Sequence, residues 1–196
     1  MRMIETIIFD MDGTLTQPML DFGAIRTDMG LGDEPILEAL DAMKDTQRLA
    51  AESILLKHER RAAEQSQLNP GVTETLSALR RKNYKLGLLT RNSRCSVETV
   101  LSRHRLQFDA IRDRDDGITK PDPESLRQLC SELHTEPTRT LMVGDYLYDI
   151  ECGNSLGCVT VLLAHGPLPD YAQKANHVVG QIDALLKLSE LNEDPT

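Results

Sequence analysis

An apolar run that ends on two carboxylates constrains this chain more than any other feature. Ile7-Ile8-Phe9 has the composition of a buried strand, and it stops at Asp10-Met11-Asp12-Gly13-Thr14, where glycine permits a bend that a Cβ would resist. A strand ending this way delivers Asp10 to the carboxyl edge of a sheet, the edge at which open α/β sheets bind ligands. Two carboxylates so close together repel in a confined site. They need a cation, a shared proton, or a division of labour between acid and base. The plainer alternative is a pair of solvated turn residues, since Asp and Gly are common where strands end.

Later apolar runs also end on polar groups. Lys85-Leu86-Gly87-Leu88-Leu89 leads to Thr90, followed by Arg91 and Asn92; Thr140-Leu141-Met142-Val143-Gly144 leads to Asp145, with Asp149 four residues on. Between them, Gly117-Ile118-Thr119-Lys120-Pro121-Asp122-Pro123 forms a rigid loop with one lysine, and a further strand is expected over Cys158 to Leu163. Helical spacing fills the gaps: Val72, Leu76 and Leu79 before the second run; Val97, Val100 and Leu101 in a helix capped by Ser93; and Leu126, Leu129 and Leu133 in a helix with Asp122 as cap and Pro123 in its first turn. Gln181 to Leu191 reads as a last amphipathic helix, and Asn192 to Thr196 as a frayed tail. Strands alternating with helices indicate βαβ units, hence an α/β fold with a Rossmann-like parallel sheet flanked by helices.

The departure from this alternation is the segment from Gln17 to Asn69. It is rich in Leu, Ala, Glu, Arg and Lys, with a helix start at Asp33-Glu34-Pro35 and a longer helical pattern from about Thr46 to Gln67. Residues 17–69 are therefore expected to form a small helical cap inserted after the first strand, over a core of residues 1–16 and 70–196. Long insertions near a site are often lids. Arg26, Arg48, Lys57 and His58 are the candidates there to meet a substrate anion.

A formal net charge of −9 argues against a nucleic-acid surface, and no apolar run approaches the roughly 18 residues of a membrane span. Cys95, Cys130, Cys152 and Cys158 form no C-x-x-C pair, so buried thiols in a cytoplasmic protein are expected. The five histidines show no zinc-ligand spacing.

Taken in order, strand-Asp-x-Asp-Gly-Thr, strand-Thr, a lysine in Lys-Pro-Asp-Pro, and strand-Gly-Asp-x-x-x-Asp, the chain resembles the haloacid dehalogenase-like hydrolase superfamily. The resemblance covers residues of about 4–16 and 70–180, and Gly153 and Gly157 match the small-residue pattern of its phosphoglycolate phosphatase-like branch. The resemblance implies a phosphatase that uses Asp10 as nucleophile and Asp12 as acid and base. Thr90 would donate a hydrogen bond to the phosphoryl group, Lys120 would offset negative charge and hold the nucleophile in place, and Mg²⁺ would be bound by Asp10, the backbone carbonyl of Asp12, and Asp145. Asp149 would support Lys120 or the ion. Backbone amides from Met11 to Gly13, with Arg91 and Asn92, are candidate substrate contacts. Arg91 stands where asparagine often follows the threonine, and Tyr146 stands where a small residue is usual.

The implied partner is a small phosphorylated metabolite, with no nucleic acid and no membrane; oligomeric state is not legible. A phosphomutase, a 2-haloacid dehalogenase and a non-catalytic phosphate-binding regulatory domain remain open as alternatives. Fold likeness alone does not assign an activity.

Overall fold

The alternation of strands and helices closes into one six-stranded sheet in a computed structural model that describes residues 3–191. The strands are β1 (Thr6–Phe9), β2 (Lys85–Leu89), β3 (Ala110–Arg112), β4 (Thr140–Gly144), β5 (Val159–Leu163) and β6 (His177–Val179), in the order β3-β2-β1-β4-β5-β6, and every pairing is parallel. The central strand β1 pairs on both sides, Ile8 opposite Gly87 of β2 and Met142 of β4. The chain winds to one side through β2 and β3, then crosses to the other through β4. That reversal opens the crevice in which ligands of such sheets sit.

Both faces of the sheet are covered, which is why the central strands are largely apolar instead of alternating with polar residues. Ile7, Phe9, Leu86, Leu88, Leu141 and Val143 point to one face, where they meet α4 (Val72–Arg81) and α5 (Arg94–His104). Ile8, Leu89 and Met142 point to the other, against Leu126, Leu129 and Cys130 of α6 (Pro123–Glu132) and Cys152 of α7 (Leu147–Ser155). Asp122 caps α6 by accepting from the Glu124 amide, as the sequence predicts. Among the cysteines, Cys130, Cys152 and Cys158 are buried, but Cys95 is exposed, against expectation. It sits in the first turn of α5, away from the face that carries Val97 and Val100 to the sheet.

Two strands were not legible as apolar runs. β3 and β6 have three residues each and lie at the sheet edges. The last segment also differs from expectation, since Gln181 to Leu191 forms 3₁₀ turns at Ile182–Lys187 and Ser189–Leu191 instead of an α-helix. The reason is its spacing. Ile182, Leu185, Leu188 and Leu191 recur every third residue and dock on the core, a repeat that suits 3₁₀ geometry better than the 3.6-residue turn. The tail expected at 192–196 lies outside the described residues.

Between β1 and α4, the chain forms α1 (Phe22–Met29), α2 (Ile36–Ala42) and α3 (Asp45–Gln65). They gather around a cluster of their own, made of Ile25, Ile36, Leu40, Ala51 and Leu55. The two ends of this segment lie side by side, with the Gln17 amide donating to the Gln67 carbonyl at 2.8 Å. One buried ion pair ties α3 to the sheet side: Arg114, just after β3, donates through both terminal nitrogens to Glu59, which is 3% exposed. Arg114 also donates to the Arg91 carbonyl, and Glu59 accepts from the Ser93 amide. Arg114→Met leaves the Glu59 carboxylate buried without a counter-charge and should cost about 3 kcal/mol, whereas Arg114→Met with Glu59→Met should cost far less. Urea denaturation of the single and double variants measures the difference.

Candidate active site

The carboxyl ends of β1 and β4 bring the acidic residues together. Asp10 follows β1 directly, its amide donating to the Val143 carbonyl of β4 at 2.9 Å. Asp145 follows β4 in the same way. Gly13, at φ +84°, lets the loop after β1 pass so close to Asp145 that a Cβ at Gly13 would overlap its carboxylate. The Thr14 hydroxyl donates to the Asp145 carboxylate at 3.2 Å. Gly144 makes a similar allowance, because a Cβ there would overlap the Asp149 carboxylate.

Lys120 reaches into this group from the loop before α6. Its Nζ donates to Asp10 Oδ1 and to Asp149 Oδ1, each at 2.6 Å, and the side chain is 2% exposed. Burial opposes the ammonium charge, but the Asp10 and Asp149 carboxylates outweigh it and raise the lysine above its ordinary range. The second oxygen of Asp149 accepts from the Tyr146 amide at 3.0 Å, capping α7. Asp149 therefore supports the lysine and caps the helix at once.

Burial pushes Asp10 up to about 7 against the pull of Lys120, with Asp149 and Asp145 adding to the rise. Asp12 also rises to about 7, first by burial and then by the nearby Asp10 charge; its carboxylate accepts from Thr16 Oγ1 at 3.4 Å and, at the limit of hydrogen bonding, from the Met19 amide at 3.5 Å. Asp145 reaches about 7 through burial and the Asp149 charge. One lysine thus faces four partly or wholly buried carboxyl groups. Oxygens of Asp10, Asp145 and Asp149 lie within 4.8 Å of one another. An all-oxygen donor set with excess negative charge fits a hard divalent cation.

These groups line a cavity of about 440 Å³ whose other side is lined by Leu20, Phe22, Arg26, Ile36 and Leu55 from the helical segment. Arg91 and Asn92 line it too. Thr90 is buried but does not: its hydroxyl donates to Asn92 Oδ1 at 3.0 Å and accepts from the Asn92 amide. Of the four basic residues picked in the helical segment, Arg26 alone lines the cavity. Arg48 pairs with Glu52 and Asp41, His58 with Asp28, and Lys57 is exposed on α3, each turned to solvent by the helical period.

The family model described as haloacid dehalogenase-like hydrolase matches residues 21–163. The chain belongs to that family. A haloacid dehalogenase-like hydrolase domain-containing protein of Arabidopsis thaliana is 30% identical over 97% of this chain and 84% of its own length. A phosphoglycolate phosphatase of Cupriavidus necator is 27% identical over 91% of this chain and 90% of its own. The fold is shared with a hydrolase from Pseudomonas syringae, at TM-score 0.81 and 20% identity, covering 93% of this chain and 96% of that one.

Three residues of this hydrolase that hold its site were missed in the sequence. Asn69, where the helical segment rejoins the core, donates through Nδ2 to the carbonyls of Gly13, Thr14 and Thr16. His165, after β5, donates through Nε2 to the Gly13 carbonyl. Glu59 anchors α3 beside the cavity. Each acts through a long-range contact that no local spacing reveals; a polar residue on an apolar helix face was the one available sign for Glu59.

Lys120→Met leaves Asp10 and Asp149 buried without their shared partner. We expect a stability loss of about 3 kcal/mol at pH 8. The loss should shrink toward pH 5, where the freed carboxyls take up protons, and denaturant titrations at the two pH values read the contrast.

Proposed function

We propose that this chain is a cytoplasmic, Mg²⁺-dependent phosphatase that hydrolyses a small phosphorylated metabolite through an aspartyl-phosphate on Asp10. The observation that carries the reading is Lys120 bridging Asp10 and Asp149, with Asp145 beside them, in a cavity lined on its other side by the helical segment. Phosphate esters hydrolyse extremely slowly unaided, so catalysis must position a nucleophile and offset the charge of the transferring group. Membership of a hydrolase family that includes a phosphatase-named relative similar along nine-tenths of this chain supports the same reading.

The roles follow from what each group can do. Lys120 pulls Asp10 toward its charged form against burial and fixes its carboxylate in direction, so that one of its oxygens attacks phosphorus while the ester P–O bond breaks. Asp12, with its carboxyl lifted to about 7, holds a proton at neutral pH and gives it to the departing oxygen. It then takes a proton from the water that opens the acyl phosphate, returning Asp10 and releasing phosphate. Asp10, Asp145 and the Asp12 carbonyl would hold Mg²⁺, with Asp149 close by, and the bound ion would supply charge stabilisation for the phosphoryl oxygens. Backbone amides from Met11 to Gly13 complete the cradle. The Thr90 hydroxyl joins it once it exchanges Asn92 for a phosphoryl oxygen. The helical segment excludes water while this proceeds.

Inorganic phosphate release from a metabolite panel tests the proposal. Asp10→Asn should lower turnover on the order of a thousandfold or more, and chelation should abolish it until Mg²⁺ is restored. Metal-independent release of halide would favour a dehalogenase, retention of the phosphoryl group on product a mutase, and no turnover of any ester a binding domain.

Mg²⁺ should also raise the melting temperature more at pH 8 than at pH 5. Raised carboxyl pKa values mean that the folded metal-free protein binds protons more tightly than the unfolded chain, so its stability falls as pH climbs from about 4 through about 7. The cation replaces those protons in the upper part of that range. An equal shift at both pH values would contradict metal binding by these carboxylates.

Asp12→Asn should slow alkyl phosphates far more than nitrophenyl phosphate, whose leaving group needs no proton. In the unmodified enzyme, alkyl phosphate turnover should fall as pH rises through about 7, where Asp12 loses its proton. Equal losses for both leaving groups would exclude Asp12 as the acid.

A further inference from the structure

Four basic side chains line the cavity, and two of them are fully engaged. Lys120 is held by Asp10 and Asp149, and Arg114 by Glu59 and the Arg91 carbonyl. Arg26 and Arg91 are not saturated in this way. Arg26 lies one turn after Phe22 on α1, both lining the cavity; the residue is half-buried and its guanidinium has no hydrogen-bond or ion-pair partner among the described residues. Arg91 donates through Nη2 to both oxygens of Glu38, at 2.8 and 3.0 Å, and lays its flat face 4.5 Å from the Tyr148 ring centroid. Its Nη1 is buried with no acceptor among the described residues.

We propose that Arg26 and Arg91 form a second anion subsite, and that the phosphate ester taken by this enzyme carries a further anionic group, a carboxylate or a second phosphate, on its leaving group. The proposal rests on the phosphatase reading, in which Lys120 and the acidic centre already serve the transferring phosphoryl group. The Arg26 guanidinium and the Nη1 edge of Arg91 are then left over on the same cavity. The buried Arg91 Nη1 is short of an acceptor, which is unfavourable, and a ligand anion relieves it, while Arg26 brings a second guanidinium to the same cavity. The planar fork of arginine suits carboxylate and phosphate alike.

Asp33 also lines the cavity but is exposed, so water screens it. Glu38 is the competitor within the protein. Its side chain is 48% exposed, so it can turn to water when an incoming anion takes its place at Arg91. Tyr148 keeps the guanidinium plane in position meanwhile. Arg91 belongs to the loop after β2 and Arg26 to the helical segment, so the distal end of the substrate would lie between the two.

The test compares the unmodified protein with Arg26→Gln, Arg91→Gln and Glu38→Gln, in Mg²⁺, on three phosphate esters of one carbon skeleton ending in a carboxylate, a second phosphate or a neutral hydroxyl. The unmodified protein should favour one of the anionic esters over the neutral one by about tenfold or more in kcat/KM, and whichever it favours identifies the anion. Each arginine variant should cut that ratio, chiefly through KM, while Glu38→Gln should keep or increase it. Equal kcat/KM on all three esters, or an unchanged ratio in either arginine variant, overturns the subsite. So does a parallel loss in Arg91→Gln and Glu38→Gln, which would make Arg91 only a tether. Calorimetry on Asp10→Asn protein, with a phosphonate bearing a carboxylate against one bearing a carboxamide, makes the same comparison without turnover. If no ester releases phosphate, the phosphatase reading fails, and the two phosphonate affinities still decide the subsite.

Discussion

A single ammonium group shared by two buried carboxylates organises this protein. Lys120 lies 2.6 Å from oxygens of both Asp10 and Asp149, and three elements must arrive together for that contact to form: β1 for Asp10, the loop before α6 for Lys120, and α7 for Asp149. The parallel sheet makes the arrival possible, because β1 and β4 end at the same edge and in the same direction. The glycines at 13 and 144 then leave space for the Asp145 and Asp149 carboxylates that side chains would fill.

Electrostatics make this a site with a use rather than a stable resting arrangement. Burial raises Asp10, Asp12 and Asp145 to about 7, so the folded metal-free chain carries carboxyls that prefer protons or a cation to empty charge. The same environment separates the two aspartates of the loop. Asp10 has the lysine; Asp12 has only a hydroxyl and a distant backbone amide. Asp10 is held in direction by a cation and Asp12 faces none among the described residues, a difference in partners that suits the nucleophile and acid roles proposed for them.

Much of this was readable in the sequence, because the strand ends carry the chemistry and strand ends are locally encoded. Ile7-Ile8-Phe9 before Asp10, the glycine before Asp145 and Asp122-Pro123 at the start of α6 each announce an element and its boundary. What stayed hidden depends on contacts across the chain. β3 and β6 take their strand conformation from neighbours that pair with them, since Ala-Ile-Arg and His-Val-Val are too short to show a period. Asn69 and His165 act on the Gly13 carbonyl from far along the chain. The helical segment was legible as helix, but its orientation was not, so Arg26 could not be told from Arg48, Lys57 or His58. Thr90 shows another limit: its position was foreseen, while its hydroxyl rests on Asn92 instead of facing the cavity.

The central claim is that the Asp10 carboxylate bonds to phosphorus. Rapid acid quench of the enzyme during turnover of a phosphate ester in Mg²⁺, followed by borohydride reduction and peptide mass mapping, tests it directly. The account predicts modification at Asp10 and at no other carboxylate. Modification of a different residue, or an Asp10 peptide left unmodified while phosphate is being released, would contradict it.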